Sequence, residues 1–141
     1  LAVGTEDKRV FQKIVDVHGH YPKNVVRLSA TEAEVLKYFN NVYAALRVTF
    51  ANNFFEICQK LDCDYTAIKD AYIKTGKAVD MYLDASSELR GYSGMCLPKD
   101  TKAIINLLED LNLNHLTLIK SIDEDNNQFR KTVFNGMRGE E

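Results

Sequence analysis

Between Thr31 and Leu61 the chain carries neither glycine nor proline, and apolar residues recur at helical spacing along the whole run. They are Val35, Leu36, Phe39, Val42, Tyr43, Leu46, Phe50, Phe54, Ile57, Cys58 and Leu61. Such a helix is roughly 45 Å long at 1.5 Å per residue, well beyond the usual globular length. Ala44, Ala45, Val48, Ala51 and Phe55 fall off the main stripe, so the second half is apolar on several faces. A helix apolar nearly all round is buried nearly all round. The rest of a 141-residue chain can hardly cover it alone, and a partner chain is the expected cover.

The flanking segments predict a mainly α fold: a long central helix with shorter packed helices, plus a small N-terminal β-α-β unit. Leu1 to Val3 are strand-like, and Thr5 is the expected N-cap of a helix carrying Val10, Phe11, Ile14, Val15 and Val17, ended by Gly19 and Pro22. Val25, Val26 and Leu28 predict a second short strand. Two strands do not make an independent sheet, and the chain opens on Leu1 without methionine, so it is expected to be a piece of something larger. After the long helix, Asp64 caps a short helix to Lys74, with Ala67, Ile68, Ala71 and Tyr72 expected inward. Residues 76–97 read as irregular. Pro98 opens a helix with Ala103, Ile104, Leu107 and Leu108 as its buried stripe, and a last helix is expected from Asn114 to Phe134.

Composition excludes several functions. Basic and acidic residues number 18 and 20, for a net charge of −2, so no electrostatic footprint points to nucleic acid or an anionic membrane. No apolar run approaches the ~18 residues of a membrane span. Three cysteines without framework spacing argue for reduced thiols and a cytoplasmic setting.

The sharpest local feature is Gly94-Met95-Cys96-Leu97-Pro98-Lys99-Asp100. Proline favours the first helical position, which places Leu97 at the N-cap and Cys96 just outside, near the positive end of the helix dipole. Lys99 adds a cation. Both favour the thiolate, the form a nucleophilic cysteine needs; the alternative is a buried cysteine beside an ordinary loop. Lys37 and Asn41, four residues apart on the long helix, share a face with Ala44, Ala45 and Val48. They could hold a developing oxyanion, or be a snorkelling lysine and a surface asparagine. His18, His20 and His115 lack the spacing of a metal site, and no metal is expected. The glycines form no Gly-x-Gly-x-x-Gly dinucleotide fingerprint.

Taken together, Ala33-Glu34-Val35-Leu36-Lys37-Tyr38-Phe39-Asn40-Asn41, then Phe50-Ala51-Asn52, Glu56-Ile57-Cys58 and Gly91-Tyr92-Ser93-Gly94-Met95-Cys96-Leu97-Pro98-Lys99-Asp100-Thr101-Lys102 resemble the UDP-glucose/GDP-mannose dehydrogenase family. The resemblance is to its central domain. It makes residues 1–30 the tail, or remnant, of an NAD-binding domain, 31–137 the central helical domain and 138–141 a tail. It implies a two-step oxidation of the C6 hydroxyl of a nucleotide sugar to a uronic acid, with NAD bound by a domain absent from this chain. Cys96 would form a thiohemiacetal and then a thioester, with Lys37 and Asn41 stabilising the oxygen at C6. Asp100 would act through a water as base. Tyr92, Ser93, Gly94 and Lys99 would contact the substrate, and the helix at 31–61 would form a homodimer. The isolated chain is expected to be inactive. This sequence departs from the family pattern at Ser93-Gly94-Met95, and at Asn53, where a glutamate is expected. The rival readings are a non-catalytic homodimerisation module derived from the family, and a small cysteine hydrolase, which lacks a histidine with any sequence reason to lie near Cys96.

Overall fold

The computed structural model describes residues 1–129. The end of the last helix expected to reach Phe134, and the 138–141 tail, lie outside the described residues. The fold is mainly α, with five helices and one two-stranded sheet among the described residues, in the order β1 (Ala2–Gly4), α1 (Lys8–His18), β2 (Val26–Leu28), α2 (Ala30–Leu61), α3 (Tyr65–Lys74), α4 (Leu97–Asp110) and α5 (Leu118–Phe129). Two compact units result, Leu1–Asn40 and a second from Asn41 onward.

In the first unit β1 and β2 pair in parallel, Ala2 opposite Val26 and Gly4 opposite Leu28, with α1 as the crossover. Asp7, not Thr5, is the N-cap of α1: its carboxylate accepts from the Arg9 N–H at 2.7 Å, while the Thr5 hydroxyl accepts from the Asp7 N–H at 3.2 Å. An aspartate satisfies an orphan donor and complements the dipole at once. Gly4 is needed for space, because a Cβ there would meet the Ala33 Cβ at 2.9 Å. The long helix starts from a reciprocal capping box that the sequence reading missed. The Ser29 N–H donates to Glu32 at 2.7 Å and the Glu32 N–H to the Ser29 hydroxyl at 3.2 Å.

In the second unit α2 reverses the ordinary division of labour. Its small residues Ala44, Ala45, Ala51 and Cys58 are buried, and its large ones Tyr43, Phe50, Phe54, Ile57 and Leu61 are exposed. One core cluster joins Ala51 and Cys58 to Tyr65 and Leu83, with the Tyr65 hydroxyl donating to the Leu83 carbonyl at 2.7 Å. A second joins Ala45 to Tyr92 and Ile122. Helix α3 begins after Asp64, whose carboxylate accepts from the Thr66 N–H at 2.8 Å. Its inward face is Tyr65, Lys69 and Ile73, so the expected Ala67, Ile68, Ala71 and Tyr72 are exposed instead. The 65-69-73 row meets the core, with Tyr65 in the cluster and bonded to the Leu83 carbonyl. Leu107 of α4 is likewise exposed, and the fully buried residues of that helix are Asp100 and Thr101. No helix among the described residues is long and apolar enough to cross a membrane.

Candidate functional site

The site is organised by the first turn of α4. Proline lacks an N–H, and the opening turn of a helix is where that loss costs nothing. Pro98 occupies the second position rather than the first, so the N-cap is Cys96 and not Leu97. The Cys96 side chain makes no capping bond, and its thiol is exposed beside the positive end of the helix dipole. The Cys96 carbonyl accepts from the Asp100 N–H at 2.9 Å, the i to i+4 bond that sets Asp100 one turn behind the thiol.

Asp100 is 1% exposed, and a carboxylate so placed must be met by donors. Asn41 of α2 provides one, its Nδ2 donating to Oδ2 of Asp100 at 2.5 Å. The Lys99 ammonium lies 3.3 Å from the other oxygen, with its side chain largely in solvent. Thus Asn41, picked out separately in the sequence, joins Cys96, Lys99 and Asp100 around the head of α4. Lys37 lies one turn before Asn41 on α2, its ammonium 4.9 Å from the centre of the Tyr38 ring.

The loop before Cys96 is held by residues that the sequence reading did not assign. The Asn126 side chain of α5 accepts from the Tyr92 N–H at 2.7 Å and donates to the Tyr92 carbonyl at 2.9 Å, as a neighbouring strand would. Asn52, 0% exposed, accepts from the Gly91 N–H at 3.1 Å and from Arg90 Nε at 2.8 Å. Arg90 also pairs with Glu56, and its guanidinium sits 4.9 Å and 5.0 Å from the ring centres of Phe55 and Phe129. Gly91 is required twice over: its φ is +61°, and a Cβ would stand 2.7 Å from Asn126 Oδ1. The Tyr92 side chain is buried in the core, whereas Gly94 and Met95 are exposed. Asn52 entered the sequence reading only within Phe50-Ala51-Asn52, with no role assigned. Asn126, in an acidic stretch, had no legible signal. Asn53 donates to Asp125 of α5 at 2.9 Å.

Among the described residues no three histidine, cysteine, aspartate or glutamate side chains gather as metal ligands. His18 is engaged instead through Nδ1, 2.8 Å from the Ile14 carbonyl. The head of α1 does not fit a dinucleotide phosphate. The β1–α1 junction has Gly4 packed against Ala33, and the Asp7 carboxylate occupies the head of α1, where a dinucleotide phosphate would need open N–H groups.

Comparison with known proteins decides the family. The model of the UDP-glucose/GDP-mannose dehydrogenase family, central domain, matches residues 31–128. The chain belongs to this family. Among its relatives, the UDP-glucose 6-dehydrogenase YwqF of Bacillus subtilis is 27% identical over 90% of this chain and 28% of its own length. The GDP-mannose 6-dehydrogenase of Pseudomonas aeruginosa is 27% identical over 92% of this chain and 29% of its own. A solved UDP-glucose dehydrogenase from Pyrobaculum islandicum superposes with a TM-score of 0.81 at 28% identity, covering 90% of this chain and 28% of that one. The chain thus spans less than a third of the length of these dehydrogenases, and the family match contains all four of Lys37, Asn41, Cys96 and Asp100.

Proposed function

We propose that this chain is the central-domain part of an NAD-dependent nucleotide-sugar 6-dehydrogenase, of the type that takes UDP-glucose to UDP-glucuronate. On this reading it carries the catalytic cysteine and does not turn over alone. The supporting observation is that Asn41 holds the buried Asp100 carboxylate one turn behind an exposed thiol at the head of α4. Residues 1–30 are then the end of an NAD-binding domain and 31–137 the central domain. Hydride acceptance belongs to NAD, which is assigned to a domain outside these residues.

The chain's own residues divide the covalent work. The Cys96 thiolate adds to the C6 aldehyde; the S–C6 bond forms and the carbonyl pair moves onto O6. An amide nitrogen carries two hydrogens, so Asn41 can hold Asp100 and the new oxyanion together, and Lys37 adds a cation. When water attacks the thioester carbon, Asp100 takes its proton and the thiolate leaves. Ser93, Gly94 and Lys99 meet the sugar, and Tyr92, tied to Asn126 through its backbone, sets the course of that loop. A second copy of the chain covers the exposed face of α2, where Phe50, Phe54, Ile57 and Leu61 follow the four-three-four spacing of a coiled-coil seam. The setting is cytoplasmic.

One observation favours the second reading, a non-catalytic homodimerisation module: both backbone groups of Tyr92 are engaged by Asn126 rather than offered to a ligand. The test uses the 6-aldehyde of UDP-glucose as a competitor of Cys96 alkylation by iodoacetamide, with the exposed Cys63 as internal reference. The catalytic reading expects Cys96 to react faster than Cys63, and the aldehyde to slow Cys96 alone. Equal rates untouched by the aldehyde leave the module reading.

A further inference from the structure

Helices α2 and α4 end in the same way. After α4 the Leu113 N–H donates to the Leu108 carbonyl at 2.8 Å, with Asn112 at φ +56°. After α2 the Cys63 N–H donates to the Cys58 carbonyl at 3.0 Å, with Asp62 at φ +52°. This six-residue closure through a left-handed residue brings the side chains of its first and sixth residues together, and they are ordinarily apolar. In α4 they are two leucines. In α2 both are cysteines.

The two thiols differ in surroundings. Cys58 is 2% exposed in the cluster with Ala51, Tyr65 and Leu83, while Cys63 is open to solvent, and both are free thiols. Burial, and then the Cys63 thiol beside it, pushes the Cys58 thiol up from its usual range. Neither takes part in the chemistry at the head of α4.

We propose that Cys58 and Cys63 form a redox-active dithiol, oxidised by small-molecule disulfides to an intramolecular bond across the C-terminal cap of α2. The Cys63 thiolate attacks one sulfur of the small disulfide, forming a mixed disulfide and expelling one thiolate. Cys58 then attacks the Cys63 sulfur; the protein S–S bond forms, the second small thiolate leaves, and the proton of Cys58 passes to it. Two small thiols are released for each disulfide reduced. A disulfide spans Cα separations of about 4.4–6.8 Å, and the backbone bond between the same two residues already holds them as neighbours.

The test equilibrates the reduced full chain, without oxygen, with excess glutathione disulfide, followed by intact mass and by peptide mapping after the free thiols are blocked. The proposal expects a cross-linked 58–63 peptide that has lost two hydrogens and carries no glutathione, alongside whatever adduct the exposed Cys96 takes. Because Cys58 lies in the core, the control is the surface variant Cys63→Ser, which keeps the helical circular dichroism and loses the cross-linked peptide. A lasting glutathione adduct on Cys63 overturns the proposal. So does a bond to Cys96 or between chains, three free thiols at excess oxidant, or a two-hydrogen loss that persists in Cys63→Ser.

Discussion

Asn41 and Asp100 are fifty-nine positions apart in sequence and joined by a 2.5 Å hydrogen bond from the amide to the carboxylate. The bond ties the middle of α2 to the first turn of α4 and so fixes how the Cys96 end of that helix is presented. Removing the donor leaves a buried acceptor short of a partner, a loss of about 1.5–3 kcal/mol for a bond to a charged group. Asn41→Ala is therefore expected to lower the unfolding free energy measured in urea by that amount. Asn41→Asp sets two carboxylates together and should cost more. If Asn41→Ala leaves both stability and the Cys96 alkylation rate unchanged, the bond does not organise the site.

The loop before Cys96 depends on Gly91 and Asn126. Gly91→Ala meets a left-handed backbone penalty of about 1–2 kcal/mol, and its methyl group also collides with Asn126 Oδ1 at 2.7 Å. It should destabilise by more than the backbone penalty alone. Asn126→Ala removes both bonds to Tyr92 and is expected to cost about 2–3 kcal/mol, as two lost bonds in a buried site. In a double variant the two changes should fall short of additivity, because Asn126→Ala relieves the collision. Full additivity in chemical denaturation would separate the two residues.

Much of this was legible in the sequence, for reasons that differ by element. The α2 run was readable because nothing interrupts it, and Cys96 and Asp100 because proline fixes the register of α4 to within one residue. The one-position slip at the N-cap arose because proline is accepted anywhere in the first turn. The inward face of α3 was misread because periodicity marks an apolar face without saying what covers it. Ile68 and Tyr72 are 48% and 46% exposed, while the face that packs carries Tyr65, bonded to Leu83. The loop clamp was invisible because a hydrogen bond from Asn126 to Tyr92 leaves no local pattern.

Alkaline pH should weaken the fold through Tyr65. Burial, only partly offset by the Lys69 ammonium, holds its phenol above the usual range. The folded state therefore keeps a proton that the unfolded chain has begun to lose. Stability is full below the ordinary tyrosine value of about 10 and declines as pH rises through the folded value. Lys69, raised by its contacts with Asp84 and Asp80, acts in the same sense. Tyr65→Phe lacks the bond to Leu83 and should be about 1 kcal/mol less stable at neutral pH. Its stability should also fall less steeply above pH ~10, and parallel curves would contradict the assignment.

The exposed seam of α2 predicts an oligomer. Phe50 and Phe54 are 51% and 41% exposed, with ring centres 4.6 Å apart. Beside them lies a groove of ≈ 540 Å³ bordered by Tyr43, Leu46, Arg47 and Tyr72. Exposed rings at seam spacing, next to a groove, suit a helix carrying the same pattern better than they suit water. Phe54→Glu touches no buried cluster, so the monomer fold should persist by circular dichroism while a charge enters the centre of the seam. Light scattering should then give a dimer for the parent chain and a monomer for the variant. A parent chain that is monomeric at high concentration would mean that this face is covered by another part of the protein, and Phe54→Glu would then leave the mass unchanged.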